Sequence, residues 1–429
     1  MSLPRTTERP AYECGDEPRS NSAIRERCIP YPARLERGEC SELPRRAAPQ
    51  GHGRKSVVRG LPDDIKQIQA CIENRLDRKA IGGKRITGII GDAPSHYAKS
   101  PSLWNAVFRD LKMKAVYLPF DVHLSRLPEM VSALRQSDQV MGVNVTVPYK
   151  VKIMEFLDKL DEKAGQIGAV NTIVRTEDGE LVGYNTDGKG FLHSIVTPQP
   201  GKKEPFVKSL NGTDVLIIGA GGSARAVAFH LTEVLGKGRL LIANRTPEGA
   251  CSLAQDIRRI FGNVQAITEE EIPEYAPKAG LIINCSTKGQ GGIRKSADGK
   301  ITALEPYSAL APANPAVIAE SEGGGPQFYR NWLSASLGDI EINNRISLQT
   351  ALAVPLNVGF CDLIYFPAET VFLRHGRLSG HRTLNGKGMN VAQAVEAFFH
   401  HVCRGYLKKL GKYNPRTHKR IFEVMHAVW

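Results

Sequence analysis

The run Asp214-Val215-Leu216-Ile217-Ile218 passes directly into Gly219-Ala220-Gly221-Gly222-Ser223-Ala224-Arg225-Ala226. An apolar run closed by glycine reads as a strand buried on both faces, and the alanine-rich stretch after it as a helix to about residue 235. A glycine turn joining such a strand to a helix leaves few folds open. The strand must lie inside a parallel sheet, and the first helical turn then presents unpaired N–H groups to an anion such as a pyrophosphate. The loop is not a strict GxGxxG, because Ala226 or a neighbour fills the third glycine's place. Its candidate cofactor-binding residues are Gly219, Ala220, Gly221, Gly222, Ser223 and Ala224. Residues 239–243 and 281–284 read as further strands, the βαβ order of a dinucleotide-binding half. The second of these three strands ends in Asn244-Arg245-Thr246. An acidic residue there binds ribose hydroxyls, whereas the planar fork of Arg245 suits a 2′-phosphate. The pattern favours NADP over NAD.

Ahead of this unit, the spacing of Ile65, Ile68, Ile72 and Leu76 predicts a helix over 61–77. Strands follow at 86–91, 115–120 and 142–147, the last stopped by Pro148, with helices at 100–111 and 127–136 between them. Alternation of this kind predicts a mainly parallel sheet covered on both faces. Residues 197–203, rich in Pro, Gly and Lys, read as a hinge. After residue 288 comes a long segment, rich first in Gly, Pro and Ala, then helical over 327–354; residues 361–365 resume the sheet. Residues 1–60 carry no helical or strand period and read as disordered.

At 429 residues and 41% hydrophobic, the chain has material for two ordered domains. It holds no apolar run long enough to predict a membrane span, and no secretory signal is visible. The eight cysteines lack a CxxC pair, which predicts reduced thiols in a cytoplasmic protein. The net charge of +13 gathers at the end, where residues 374–429 hold 11 Lys/Arg against 2 Asp/Glu. No nucleic-acid-binding motif accompanies it, and anionic small molecules favour the same positive surface. A monomer or homodimer without nucleic-acid or membrane partners is expected. His375, His381, His400, His401, His418 and His426 lack a metal-ligand spacing and read as helix-surface residues, so no metal is expected.

Two polar turns precede the glycine loop: Asn144-Val145-Thr146-Val147-Pro148-Tyr149-Lys150 and Asn185-Thr186-Asp187-Gly188. Redox chemistry between an alcohol and a ketone needs a positioned acid/base beside the hydride donor. A lysine and an aspartate on turns next to a cofactor unit meet that need.

Together these motifs resemble the shikimate dehydrogenase family, including its quinate relatives. The likeness runs through Lys99-Ser100-Pro101, Ala169-Val170-Asn171-Thr172, Ile364-Tyr365 and Gly388-Met389-Asn390-Val391-Ala392-Gln393, in family order with the segments above. It implies an α/β protein: an N-terminal α/β substrate domain over 61–195, and a Rossmann-type doubly wound NADP-binding domain over 205–370 that contains an insertion at about 290–350. Helices over 385–429 return to the substrate domain. The resemblance also implies that Lys150 and Asp187 are the catalytic pair and that Ser100 binds the substrate carboxylate. Thr146, Asn171 and Gln393 would then hydrogen-bond ring hydroxyls, Tyr365 would lie near substrate and nicotinamide, and Gly388 would join Asn244, Arg245 and Thr246 in holding the cofactor. The implied reaction is NADP-linked reversible reduction of 3-dehydroshikimate to shikimate. Quinate or a modified analogue is the alternative substrate, and a non-catalytic ligand-sensing regulator the alternative class.

This chain departs from the family pattern at several points. Ala98 stands where a second carboxylate-binding serine is usual, with Ser95 and Tyr97 as possible replacements. Gln290 replaces a methionine beside the nicotinamide, Phe366 an asparagine, and Asn390 a leucine. The insertion before Asp362 is unusual too.

Overall fold

A computed structural model describes residues 63–295, 300–319 and 326–429. The expectation for residues 1–60 lies outside the described residues.

The first sheet has six strands: β1 (Arg85–Gly91), β2 (Ala115–Asp121), β3 (Val140–Val145), β4 (Lys159–Leu160), β5 (Thr172–Arg175) and β6 (Leu181–Tyr184), in the order β2-β1-β3-β5-β6-β4. It is mainly parallel, as expected, with β5 alone reversed: β1/β2, β1/β3 and β4/β6 pair parallel, while β3/β5 and β5/β6 are antiparallel. The cause is the Asp178-Gly179 turn: Gly179 takes φ +87, and Thr176 N donates to Glu180 O over 2.8 Å, so β5 and β6 form a hairpin instead of a crossover. The first helix is shorter than predicted, Asp63–Cys71. Beyond it, Asn74 is bound to β2, giving Nδ2 to Pro119 O over 3.0 Å and taking the Asp121 N–H over 2.8 Å. Those tertiary bonds replace the helical ones. The apolar stripe is buried nonetheless, with Ile65, Ile68, Ile72 and Leu76 all in the core.

The second sheet is wholly parallel and starts with β7 (Val215–Ile218), β8 (Leu240–Ala243), β9 (Val264–Ile267) and β10 (Leu281–Asn284). A small antiparallel sheet follows, made of β11 (Ile293–Lys295), β12 (Lys300–Ala303) and β13 (Ile318–Ala319). A 28-residue helix, Pro326–Ala353, then leads into β14 (Gly359–Asp362) and β15 (Arg382–Leu384). The order β15-β14-β10-β7-β8-β9 is the doubly wound arrangement, with its switch point between β7 and β10. The edge strand β15 places 382–384 in this sheet, past the expected boundary at 370. The insertion has an apolar cluster of its own around Tyr307, Phe328 and Trp332.

The last helices, Lys387–Glu396 and Pro415–Ala427, pack on the first sheet: Val391, Phe398, Ile421 and Met425 share one cluster with Ile89, Trp104, Tyr117 and Met141. Between the two sheets, helix Asp187–Val196 lies against both Lys387–Glu396 and Gly222–Thr232. Among the described residues, no helix is long and apolar enough to cross a membrane. Cys71, Cys285, Cys361 and Cys403 are free. His375 and His381 are not surface residues. Both are buried, beside Ser347 Oγ at 2.8 Å and Ala351 O at 3.0 Å respectively, because helix Val371–Leu378 and the turn after it pack against the long insertion helix.

Candidate active site

The turn after β3 is fixed by Tyr149, whose buried hydroxyl donates to Val122 O over 2.6 Å, and by the Val170 N–H, which donates to Lys150 O over 2.7 Å. Lys150 is thereby aimed at the start of helix Asp187–Val196. Its ammonium Nζ stands 2.5 Å from Asp187 Oδ2, and the aspartate is buried. Asp187 occupies the first helical turn, where partial positive charge from the backbone favours a carboxylate.

Why that helix comes so close is written at Gly188. A Cβ there would stand 2.3 Å from Ala226 O and 2.1 Å from His230 Nδ1, so only glycine lets the Asp187 helix touch the helix after the glycine loop. Ser223 exploits the approach. Its hydroxyl accepts from Lys150 Nζ over 3.0 Å and donates to Asp187 Oδ2 over 3.1 Å. Gly190 makes the same kind of approach to the other neighbour, where a Cβ would meet Gln393 Cβ at 2.7 Å.

Around the pair runs a polar network. Asn171 Nδ2 donates to Asp187 Oδ1 over 2.7 Å and to Thr186 Oγ1 over 2.9 Å, and lies 3.4 Å from Gln393 Oε1. Tyr117, Asn144 and Thr172 extend it: the Tyr117 hydroxyl donates to Asn144 Oδ1 over 2.8 Å, and Asn144 Nδ2 to Thr172 Oγ1 over 3.0 Å. Ser100, buried at the start of helix Ser100–Asp110, lies beside Tyr117. Burial raises the Tyr117 phenol well above its ordinary range, so it stays a neutral donor.

Thr146 lies beside Tyr97, whose hydroxyl donates to Asp92 Oδ1 over 2.8 Å. Burial first, and the Asp92 charge second, push the Tyr97 phenol up. Tyr365 meets Trp429 edge to face at 5.1 Å, and burial raises its phenol as well. Of the two replacements considered for the missing serine, Ser95 is unavailable: its N–H and hydroxyl both donate to Asp121.

At the end of β7, Gly219 takes φ +120, a region closed to most side chains, and a Cβ there would lie 2.9 Å from Cys285 C across the switch point. A Cβ on Gly221 would meet nothing within 4 Å among the described residues, so open space stands over the first turn of Gly222–Thr232. Ala220 lines the loop, and Ala224 is buried in that helix. Asn244 Nδ2 donates to Thr246 Oγ1 over 2.9 Å and leaves Arg245 exposed beyond β8. A dinucleotide fits this cradle: glycine backbone for a pyrophosphate, and a guanidinium at the ribose end. Gly388 packs on Gln199 and Ser194, where a Cβ would be 2.6 Å from Gln199 Oε1. A cavity of about 370 Å³ beside Tyr329, Trp332 and Arg374 contains none of the residues chosen from sequence.

Sequence reasoning missed Tyr117, Asn144, Thr172 and Thr186 as members of the network, and Ser223 as a partner of the lysine and aspartate. Asn144 and Thr186 stood inside recognised motifs. Nothing local marks Tyr117, which reads as a core tyrosine of β2.

The substrate-binding-domain model of shikimate dehydrogenase matches residues 89–173, and the shikimate/quinate 5-dehydrogenase model matches 202–303. The NADP(+)-dependent shikimate dehydrogenase of Carboxydothermus hydrogenoformans is 37% identical over 317 residues, 74% of this chain and 91% of that one. This chain belongs to the shikimate dehydrogenase family. The Bacillus licheniformis shikimate dehydrogenase (NADP(+)) is 34% identical over 315 residues, 73% of this chain and 90% of the relative. A crystal structure of a shikimate dehydrogenase in complex with NADP+ superposes with TM-score 0.56 at 27% identity, covering 83% of this chain and 96% of that one.

Proposed function

We propose that the protein catalyses the reversible NADP-linked reduction of 3-dehydroshikimate to shikimate, with Lys150 and Asp187 as its acid/base pair. The observation that carries this reading is the buried contact of 2.5 Å between Lys150 Nζ and Asp187 Oδ2, directly beneath the helix that opens from the glycine loop. When bound, the nicotinamide supplies the hydride that reduces the ketone carbon. The remaining work falls to side chains. Lys150 donates a proton to the carbonyl oxygen as the C–O bond becomes an alcohol, and takes it back in the oxidising direction. Asp187 holds the ammonium in place and accepts from a ring hydroxyl. Asn171 locks the Asp187 carboxylate through Oδ1 and, with Thr146 and Gln393, gives each further hydroxyl a fixed partner. Ser100 reaches the carboxylate from the first turn of its helix, and Tyr365 closes the nicotinamide side. Gly219–Ala224, Asn244–Thr246 and Gly388 would hold the cofactor, and Arg245 would select its 2′-phosphate.

The test is NADP⁺ and NAD⁺ reduction against shikimate, quinate and other cyclic hydroxy acids. Turnover of shikimate with preference for NADP⁺ is expected. Absence of turnover on every hydroxy acid would overturn the enzyme reading, and turnover of quinate alone would overturn the substrate.

A further inference from the structure

We propose that Arg294, carried by β11 of the insertion, binds the substrate carboxylate in the place that Ala98 leaves without a hydroxyl; this rests on the dehydrogenase reading above. In the first domain that subsite is thin. Ala98 brings no polar atom, Ser95 is committed to Asp121, and the Tyr97 hydroxyl is committed to Asp92. Only Ser100 remains for an anion that in water would hold several hydrogen bonds.

Arg294 comes from the opposite side of the cleft. Its Nη2 donates to Gln290 Oε1 over 2.5 Å, which fixes the plane of the guanidinium. Its Nε is buried and meets no hydrogen-bond acceptor among the described residues. A buried, unpaired N–H on a cation is costly, and a carboxylate arriving at that edge removes the cost with two parallel charge-assisted bonds.

The position follows from the chain on either side. Gly291 N donates to Phe366 O over 3.1 Å, so the start of the insertion is tied to the residue after Tyr365. Across the cleft, the groups whose charge Arg294 feels are Asp92 and Tyr97. Tyr97 in turn stands at Thr146 and Gly91, and Tyr365 is within its electrostatic reach. Arg294 therefore lies within electrostatic reach of Tyr97, the residue next to Ala98. Burial lowers its hold on its proton, with the charges of Asp92 and Tyr97 opposing.

The experiment compares shikimate with shikimate methyl ester, whose carboxyl carries no charge, in the wild-type full chain and in Arg294→Ala and Arg294→Lys. Arg294→Ala is expected to raise KM for shikimate roughly 10- to 100-fold while kcat, KM for NADP⁺ and kcat/KM for the ester stay within about threefold. Arg294→Lys recovers part of the loss, and adding Ala98→Ser to Arg294→Ala recovers part as well. An equal fall for acid and ester, or an unchanged KM for the acid in both variants, overturns the assignment. Should Arg294→Ala fail to fold, the acid-to-ester ratio in Arg294→Lys decides alone. A wild-type protein that turns over neither shikimate nor quinate is a different failure, and removes the dehydrogenase reading itself.

Discussion

Ser223 Oγ accepts from Lys150 Nζ over 3.0 Å, so the first turn of the helix after the glycine loop touches the ammonium of the other domain. Lys150 and Ser223 are held by different sheets, and Asp187 is the third corner of the contact. A shift of one sheet against the other must move the proton donor relative to the cofactor cradle. Rate is then sensitive to packing at this junction.

Replacing Lys150 with alanine should lower kcat by a factor on the order of 10² or more, with KM for NADP⁺ changed little. Asp187 keeps Asn171 and Ser223 in that variant, so the fold survives. Steady-state kinetics with cofactor titration checks it. Unchanged turnover would remove the lysine from proton transfer.

Arg245 is exposed beyond β8, and its only proposed task is a 2′-phosphate. Arg245→Ala should raise KM for NADP⁺ roughly 10- to 100-fold and leave KM for NAD⁺ nearly constant. Parallel titrations of the two cofactors measure the ratio. Equal losses on both would place the selectivity elsewhere.

Two glycine-to-alanine changes separate packing from propensity. At Gly188 the new Cβ would lie 2.3 Å from Ala226 O, so Gly188→Ala should cost about 1–3 kcal/mol or more and slow turnover by displacing Asp187. At Gly165, inside helix Glu162–Ile167, a Cβ would meet nothing within 4 Å among the described residues. Gly165→Ala should gain about 0.5–1 kcal/mol with activity intact. Urea titrations and kcat distinguish the two outcomes.

His401 stacks on Tyr184 at 4.4 Å, and burial pulls its imidazole down from the ordinary 6.5 to about 4, with Glu396 opposing. The folded value lies below the unfolded one, so the protein keeps this histidine neutral. That contribution is whole above pH 6.5 and is lost as pH falls toward 4, at up to about 1.4 kcal/mol per pH unit. Denaturant midpoints between pH 7 and pH 4 should therefore fall less steeply in His401→Gln. An identical slope in the variant would show that His401 does not titrate in that window.

The sequence alone determined the elements whose signal is local. The βα turn at Gly219 was legible because an apolar strand, a glycine-rich stretch and a helix start are adjacent in the chain. Lys150 and Asp187 were legible because each lies in a short polar turn between buried segments. What the tertiary structure decided depends on distant partners. The β5–β6 hairpin reversed one strand of the first sheet, Asn74 ended a helix by bonding to β2, and the switch point appeared only once β10 lay beside β7. Tyr117, Ser223 and Arg294 acquired their surroundings the same way. Each comes from a different stretch of chain, and no periodicity in one stretch encodes the direction from which another will approach it.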